Sequence, residues 1–529
     1  MDFQLFRAKK LKSSILKLGL KATVDHMRAR RENLEPLLDH KDMDKKTAFS
    51  IEVLEPVVRK ESKKTTQYVA ALTATIGGFI AGNILAWSSP AGPKLMDGEY
   101  GFPVTEDDMS WVGGIMAIGA IIGCIITGLT VDVFGRKNLM LFLVAPTTIG
   151  WCAIIWAESV FILCCGRFLL GAACGSFSIV CPMYTGEIGE NSIRGTLGTY
   201  FQLQIVIGIL FVYLIGSILN TFWMSITCAV IPLVYAGLMG LMPESPTFHF
   251  KKGEVENAKM SLQWFRGPEY DINGEIKEML DIIDRDEREK VPLAIAIRSK
   301  AAKKGFVIGL GIMFFQQFSG INAVIFYTTQ IFQSAGSTIP PDLCTIMTGV
   351  VSVISCYIAT VIVDKLGRRL LLLTSGTVMA LCCGVLGGYF YMLKHNMDVS
   401  NIGWLPIACV CGFNIAFSLG FGPIPWMLVG EIFSSQIKGT ASSIACLFNW
   451  ACVFMVTKFF SVIAEMFGSY STFWFFTAML VTAIAFTFFV VPETKGKSFE
   501  QIQSELSGEN ESQSEASTVS AYPSKDLKY

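Results

Sequence analysis

The chain has 529 residues, of which 52% are hydrophobic and 16% are charged, and its formal net charge is zero. Such an apolar composition excludes an ordinary soluble domain, and the balanced charge gives no basic surface of the kind that binds nucleic acid. The 4 histidines and 15 cysteines show no metal-ligand spacing, so neither a metal site nor another cofactor is expected.

The first 66 residues are charged and precede every long apolar block. This pattern is not that of a cleavable signal peptide, and it predicts a cytosolic N-terminal tail. Basic runs such as Lys9-Lys10 leave two alternatives for this tail. It forms a partial amphipathic helix on anionic lipid, or it is a poorly ordered solvated segment.

Twelve apolar blocks follow, each close to the length of about 20 residues that a spanning helix needs. They occupy residues 67–88, 111–131, 138–157, 160–181, 197–219, 222–242, 305–328, 342–363, 370–391, 404–429, 440–462 and 472–491. Lipid offers the backbone no hydrogen-bond partners, so blocks of this length predict helices rather than barrel strands. The predicted fold is an all-α membrane protein with twelve transmembrane helices in two pseudo-symmetric bundles of six.

Three charged motifs recur in the same order in the two halves of the chain. The pairs are 132–137 and 364–369, then 186–188 and 430–432, then 243–245 and 492–494. Each motif lies against a membrane-length block, which indicates a duplicated membrane domain. Two-half bundles of this kind are typical of carriers that alternate access around a central site.

Lysine and arginine concentrate in the short loops on one side of the predicted membrane, which places that side and both termini in the cytosol. The opposite loops carry Lys94 and Lys394, and the first of these loops is acidic. The predicted parts are a cytosolic tail (1–66), a first bundle (67–242), a cytosolic linker with short amphipathic helices (243–304), a second bundle (305–491) and a mostly disordered cytosolic tail (492–529).

Several motifs occur together between about residues 70 and 497. They include Gly135-Arg136-Lys137, Pro243-Glu244-Ser245-Pro246, Gln316-Gln317-Phe318-Ser319-Gly320-Ile321-Asn322, Gly422-Pro423-Ile424-Pro425-Trp426 and Pro492-Glu493-Thr494. By these residues the chain resembles the sugar porter branch of the major facilitator superfamily. Within that branch it is most similar to the insect facilitated trehalose transporters and the facilitative hexose carriers, through residues 420–426, 448–450 and 456–458.

The seventh block contains three amides, Gln316, Gln317 and Asn322, around Gly320. A bare amide in lipid is costly, so these side chains are expected to face the bundle interior or a wet cavity. Gly320 would also let the helix break where the backbone lines that cavity. The resemblance implies that the three amides bind sugar hydroxyls. The alternative is a set of interhelical hydrogen bonds that only stabilise the bundle.

The resemblance adds further residues to the candidate site. Gln202 in the fifth block matches the family's substrate glutamine, whereas Gln204 lies about 200° further around a helix and is expected to face elsewhere. Trp426 follows two prolines that break the tenth helix, which suits a gate over the sugar; the alternative is a residue of the interfacial aromatic belt. In family members the Asn449-Trp450 pair contributes sugar contact and cavity lining.

A second group of charged residues lies at the predicted cytosolic helix ends. Its members are Asp132, Arg136, Glu187, Arg194, Glu244, Asp364, Arg368, Glu431, Lys438 and Glu493. We interpret them as inter-helix ion pairs that hold the cytosolic side shut and break when it opens. The alternative is ordinary positive-inside composition. A lysine at 438 cannot form the bidentate fork of an arginine, so this half is expected to close less firmly.

Coupling to protons requires a titratable group in the membrane, and proton-coupled relatives carry a carboxylate in the first helix. Here residues 68–90 contain no charged residue or histidine, and the matching position is Ile84. No phosphate-binding loop offers coupling to ATP. Arg167, in the fourth block, is expected to have a structural partner, either a carboxylate or helix carbonyls. These observations predict passive uniport.

The expected function is facilitative transport of trehalose or a hexose down its gradient, by alternating access, across the plasma membrane. The expected partners are a neutral sugar and the lipid bilayer, with the monomer as the functional unit. The alternatives are a transporter-like sugar sensor and a proton-coupled sugar symporter. An enzyme is not expected, because no nucleophile–base pair or metal cluster is evident in the sequence.

Overall fold

The computed structural model describes residues 62–190, 192–288, 299–336, 339–433, 435–497 and 499–507. Side chains at 282–288, 361–365, 435–436, 438, 461 and 499–500 are outside this description. The predicted N-terminal tail up to residue 61 and the predicted disordered tail from residue 508 therefore lie outside the described residues. The same holds for the side chains of Asp364 and Lys438.

Twelve helical segments in these ranges are long and apolar enough to cross a membrane. They are Lys64–Met96, Glu106–Phe134, Arg136–Ile155, Val160–Ile188, Arg194–Ile218, Thr221–Gly240, Lys300–Ala335, Pro341–Thr360, Arg368–Lys394, Ser400–Ile432, Gly439–Phe467 and Ser469–Val490. Each coincides with one predicted block, so the predicted all-α membrane fold is confirmed.

The helices of the first half run from α1 to α8. They are α1 (Lys64–Ala86), α2 (Ser88–Met96), α3 (Glu106–Phe134), α4 (Arg136–Phe142), α5 (Val144–Ile155), α6 (Val160–Ile188), α7 (Arg194–Ile218) and α8 (Thr221–Gly240). Three of these helices, α3, α6 and α8, begin at a local side-chain cap. Ser159 and Asn220 accept a backbone N–H at the start of α6 and α8, and Thr105 forms a capping box with Asp108 at the start of α3.

The linker and the second half contain the other helices. They are α9 (Pro246–Lys251), α10 (Val255–Arg266), α11 (Asn273–Arg288), α12 (Lys300–Phe318), α13 (Ile321–Ala335), α14 (Pro341–Leu366), α15 (Arg368–Lys394), α16 (Leu405–Leu419), α17 (Ile424–Ile432), α18 (Ser435–Phe467), α19 (Ser469–Val490) and α20 (Phe499–Ser507). The helices α9 to α11 lie within the range predicted for the linker. Ile276 of α11 is buried with Phe250, Ala258 and Leu262, whereas Leu280 is exposed.

Glycines allow α3 and α6 to pack with their backbones in contact. Gly119 and Gly123 of α3 are four residues apart, and so are Gly171 and Gly175 of α6. A Cβ added at Gly123 would lie 2.0 Å from the Ala172 carbonyl oxygen. Small residues at this spacing are the usual basis of close helix packing in membranes, where helix association depends on van der Waals contact.

We therefore expect Gly123→Ala to destabilise the first half by about 1–3 kcal/mol, because the added methyl forces the two helices apart. The measurement is the melting temperature of the detergent-purified protein. Gly128→Ala on the same helix is the control, since a Cβ there would meet nothing within 4 Å. Equal melting temperatures for the two variants would contradict the close backbone contact.

Two spanning segments are broken in the middle, as expected from their glycines and prolines. The seventh span breaks at Gly320, whose φ of +94° favours glycine and where a Cβ would lie 2.5 Å from the Phe476 ring. The tenth span breaks between Leu419 and Ile424, where Pro423 has no N–H to continue the helix. Broken helices at membrane depth are tolerated where the freed backbone groups find partners.

Candidate functional site

The break in the tenth span is held by a side chain from the seventh. The Gln316 Nε2 atom donates to the carbonyl oxygens of Phe421 and Gly422, at 2.8 and 3.0 Å. Both carbonyls lie in the unwound segment between α16 and α17, where they have no helical donor of their own. The Gln316 amide therefore connects α12 to the hinge of the tenth span.

A chain of amides extends from Gln316 across the middle of the second half. The Asn449 Nδ2 atom donates to Gln316 Oε1 at 2.9 Å, and Gln317 Nε2 donates to Asn449 Oδ1 at 3.0 Å. The Asn322 Nδ2 atom donates to Gln317 Oε1. The four residues belong to α12, α13 and α18 and are between 3% and 7% exposed. Four of the seven predicted substrate residues are thus in direct contact.

This amide chain has the chemistry that an uncharged polyhydroxyl ligand requires. Each amide offers two donors and an acceptor with two lone pairs, so it can exchange a bond to a neighbouring amide for a bond to a hydroxyl. Buried amides without partners are costly, and the chain of mutual bonds satisfies them when no ligand is bound. The structure shows the interhelical hydrogen bonds, and binding of a sugar by the same amides remains a prediction.

Gln202 lies on the face of α7 that is turned towards the second half. Residues 202 and 213 are eleven positions apart, which is a rotation of about 20° on an α-helix. Tyr213 donates from its hydroxyl to the Ile325 carbonyl oxygen of α13 at 3.0 Å, and Gln202 is partly exposed. Gln204 lies near Gly208, whose added Cβ would be 2.3 Å from the Phe79 carbonyl oxygen of α1. By helix geometry Gln204 is rotated by about 40° from Gly208, on the side of α7 that packs against α1. That it faces away from Gln202 remains a prediction.

The two predicted tryptophans lie on the helices around the amide chain. Trp426 is at the start of α17, directly after the break of the tenth span, and is 42% exposed. Trp450 follows Asn449 on α18 and is 7% exposed within the apolar core. Among the described side chains, no hydrogen bond joins Gln202 or either tryptophan to the amide chain. Their role in binding remains a prediction.

The predicted charge network of the first half is assembled around Arg136. Its guanidinium contacts Glu187 Oε1 at 2.8 Å and Asp132 Oδ1 at 3.0 Å. Glu244 accepts the backbone N–H groups of Arg136 and Lys137 at the start of α4, at 3.1 and 2.9 Å. A carboxylate at this position satisfies orphan donors of the helix N-terminus.

The second half repeats this arrangement. Arg368 contacts Glu431 Oε1 at 3.0 Å, and Glu493 accepts the backbone N–H groups of Arg368 and Arg369 at the start of α15, at 2.9 and 3.0 Å. Burial raises the pKa of Glu493, but backbone N–H donors, including that of Lys495, outweigh it and hold this pKa below its usual value. The carboxylate is therefore ionised at neutral pH.

Glycine is required before each arginine of the repeat. Gly135 and Gly367 have φ values of +88° and +92°. A Cβ at Gly135 would lie 2.4 Å from Glu244 Oε2, and one at Gly367 would lie 2.9 Å from Glu493 Oε2. The recurring Gly-Arg motif thus combines a backbone turn with room for the capping carboxylate.

The structure differs from the predicted network in two respects. The ion pairs around Arg136 and Arg368 each join helices of one half, so in this conformation they stabilise a half and do not connect the two halves. Arg194 is exposed and donates to the Gly189 carbonyl oxygen at 3.4 Å. The side chains of Asp364 and Lys438 lie outside the described residues, and their roles remain predictions.

Arg167 is fully buried and binds helix carbonyls, which is one of the two expected alternatives. It donates from Nε to the Val112 oxygen at 3.2 Å and from Nη1 to the Ile84 oxygen at 2.6 Å. Its guanidinium also lies 5.6 Å from the ring centroid of Trp87 and 5.9 Å from that of Phe326. Arg167 thereby connects α6 with the first two spans.

Several polar contacts between the two halves lie towards one end of the spans, which we call the Asp107 end. There Ser89 Oγ is 3.1 Å from Thr329 Oγ1, and the Lys458 ammonium is 2.7 Å from Asp107 Oδ1. At the opposite end, the Arg136 end, the described ion pairs stay within one half. Sequence reasoning did not identify Lys458 as functional, although a lysine inside an apolar block is itself a signal.

The chain also matches a known protein family, in agreement with this architecture. The sequence profile of the family described as "Sugar (and other) transporter" matches residues 51–506 of the chain. The chain belongs to this sugar transporter family. The resemblance drawn from the motifs is confirmed.

The chain is also similar to individual members of the family. It is 42% identical over 445 residues to a facilitated trehalose transporter, Tret1, of Aedes aegypti, which covers 84% of this chain and 55% of the mosquito protein. It is 40% identical over 467 residues to Tret1 of Culex quinquefasciatus, covering 88% of this chain and 90% of that protein. The chain thus spans about half the length of the Aedes relative.

Solved structures of a sugar transporter share the fold. The proton:xylose symporter XylE bound to 6-bromo-6-deoxy-D-glucose gives a TM-score of 0.68 at 25% identity, covering 83% of this chain and 99% of that one. The inward open conformation of XylE from E. coli gives a TM-score of 0.70 at 24% identity with the same coverage. The twelve-span major facilitator fold of this chain is thereby shown.

Proposed function

We propose that the protein is a facilitative carrier that moves trehalose or a hexose down its gradient by alternating access. The observation that supports this function best is the buried chain of four amides at the breaks of the seventh and tenth spans. It offers donors and acceptors without net charge, which suits a neutral sugar. The similarity to facilitated trehalose transporters supports the same substrate class.

Passive uniport is favoured over proton coupling by the surroundings of Arg167. Its guanidinium bonds go to the backbone oxygens of Val112 and Ile84. No acidic side chain occurs in residues 68–90 of the first span. A proton-coupled carrier needs a group in the membrane that binds and releases a proton. Residues 68–90 offer no such group, because they contain no acidic side chain. The symporter alternative is supported only by the similarity to XylE.

We further propose that the Arg136 end faces the cytosol, together with both termini, because short loops rich in lysine and arginine stay on that side. The proposed location is the plasma membrane, with the protein acting as a monomer in the bilayer. A sugar sensor of the same fold would bind substrate without flux. Enzyme activity is not proposed, since the function assigned to the site is binding and release.

The deciding experiment is uptake of radiolabelled trehalose, glucose and fructose by oocytes that express the chain, each competed with the other two sugars. We expect uptake down a gradient, saturable, and inhibited by the preferred sugar at the lowest concentration. Binding to the purified protein without uptake would support the sensor and contradict the carrier.

The same assay tests coupling. Uptake is expected to be flat between about pH 5.5 and 7.5, the range in which a buried membrane carboxylate would titrate. Water-injected oocytes are the control for background entry at each pH. A steep stimulation by acid would contradict uniport and favour the symporter.

A further inference from the structure

Lys458 of α18 makes three contacts with one helix of the other half. Its ammonium donates to Asp107 Oδ1 at 2.7 Å and to Ser110 Oγ at 2.6 Å. It also lies 4.3 Å from the ring centroid of Trp111. The Lys458 side chain is only 11% exposed, whereas that of Asp107 is 66% exposed. The Lys458 side chain is thus nearly buried, and its ammonium contacts three residues in the first two turns of α3.

The contact residues form one stripe on α3. Asp107, Ser110, Trp111 and Gly114 occupy positions i, i+3, i+4 and i+7, which share a helix face. A Cβ at Gly114 would lie 3.4 Å from the Lys458 Cβ atom, so the lysine stem packs against the glycine. The ammonium at the other end of the stem contacts Asp107, which precedes Gly114 by two turns on the same stripe. This face of α3 accommodates the apolar stem of the lysine and presents the Asp107 carboxylate to its ammonium.

The start of α3 is also ordered by hydrogen bonds that do not involve the lysine. Thr105 and Asp108 form a reciprocal capping box, with the Asp108 N–H donating to Thr105 Oγ1 at 3.2 Å. Ser110 donates to the Asp107 carbonyl oxygen at 2.7 Å. A negative charge in the first helical turn is also favoured by the helix dipole. The start of α3 therefore loses little conformational entropy when it contacts Lys458.

We propose that Lys458 is a positioning residue for the transport cycle, which with Asp107, Ser110 and Trp111 forms a latch that favours the conformation closed at the Asp107 end. This proposal rests on the proposed function, because alternating access requires the two halves to separate at that end. On separation the ammonium loses two charge-assisted hydrogen bonds and a cation–π contact and becomes hydrated instead. The latch acts on the ratio of the two conformations and not on the sugar itself.

The test uses a reporter thiol between the halves. Thr329 is 3% exposed and contacts Ser89 of the first half at the Asp107 end. In a Thr329→Cys protein, the rate of modification by a membrane-impermeant methanethiosulfonate, added on the Asp107 side of sealed vesicles, reports how often that end opens. The protein without the reporter cysteine gives the background from its native thiols.

Lys458→Met in the reporter protein is expected to raise the modification rate by roughly tenfold, the order expected for losing the charged hydrogen bonds and the cation–π contact together. Asp107→Asn is expected to raise it in the same direction. If the lysine variant does not reach the membrane, the asparagine variant carries the test, since Asp107 is largely exposed. Unchanged or slower modification would overturn the latch.

Lys394→Met is the matched control. Lys394 also lies over an aromatic ring at the same end, 5.0 Å from the Tyr470 centroid, and it donates to the Phe467 carbonyl oxygen at 3.2 Å. Both partners belong to its own half, so the rate should not change. Equal acceleration by this variant would overturn the latch. The rate of thiol modification is measured without sugar. A failure to observe sugar uptake would therefore contradict the proposed carrier function but would leave the test of the latch unaffected.

Discussion

Replacing Gln317 by leucine is expected to abolish sugar uptake while the protein still reaches the membrane. Gln317 is at the centre of the amide chain, where it donates to Asn449 and accepts from Asn322. Leucine has a similar volume, so the core remains filled, but both neighbouring amides lose a partner. Each lost hydrogen bond costs about 1 kcal/mol of free energy, and each buried amide left without a partner costs about 1–3 kcal/mol. Uptake efficiency should therefore fall by roughly a hundredfold or more.

Gln204→Leu is the matched control for this experiment. Gln204 is also a glutamine of a spanning helix, but it lies on the face of α7 towards α1, away from the second half. Its replacement is expected to change uptake by less than about threefold, as for a surface substitution away from the site. Both variants are compared at equal surface amounts, measured by biotinylation. Retained uptake in Gln317→Leu would assign the amide chain a purely structural role.

Oxidation of Cys124 and Cys446 to a disulfide is expected to stop transport reversibly. Their Sγ atoms are 3.6 Å apart, on α3 of the first half and α18 of the second, and both residues are 4% exposed. Diamide removes one hydrogen from each thiol and is itself reduced to the hydrazine, so a modest approach of the sulfurs completes an S–S bond of about 2.05 Å. The bond would join the halves covalently and prevent them from separating.

Uptake after diamide is expected to fall below about a tenth of its starting value, with recovery on addition of a thiol reductant. The linked peptides are identified by mass spectrometry of the non-reduced digest. Cys446→Ser is the control, because it leaves every other thiol in place and should be insensitive. Equal inhibition of that variant would assign the effect to another of the 15 cysteines, all of which are free thiols in this structure.

The repeated charge clusters give a physical reason for the internal repeat. In each half an arginine pairs with a carboxylate of a neighbouring spanning helix, and a second carboxylate caps the helix that begins with that arginine. The cluster orders the ends of several helices at once. A half built in this way can move as a rigid body, which alternating access requires.

The site residues show how far sequence reasoning reached. Gln316, Gln317 and Asn322 were identifiable because amides are rare and costly in an apolar block, whatever their neighbours. The contact of Gln316 with the hinge of the tenth span was not predictable. It depends on where two distant helix breaks lie in space, 105 residues apart in the chain. The contact of Lys458 with Asp107 was not predictable for the same reason, since the two residues are 351 positions apart in the chain.

The twelve spans, their division into two related halves and the positions of the two helix breaks were determined by the sequence alone. These features follow from local causes: the length of apolar runs, the conformational freedom of glycine and the missing N–H of proline. Only the tertiary structure decided which charges pair within a half and which contacts join the halves. Those outcomes depend on distances of a few ångströms between helices that are far apart in the chain, and neither residue type nor spacing contains that information.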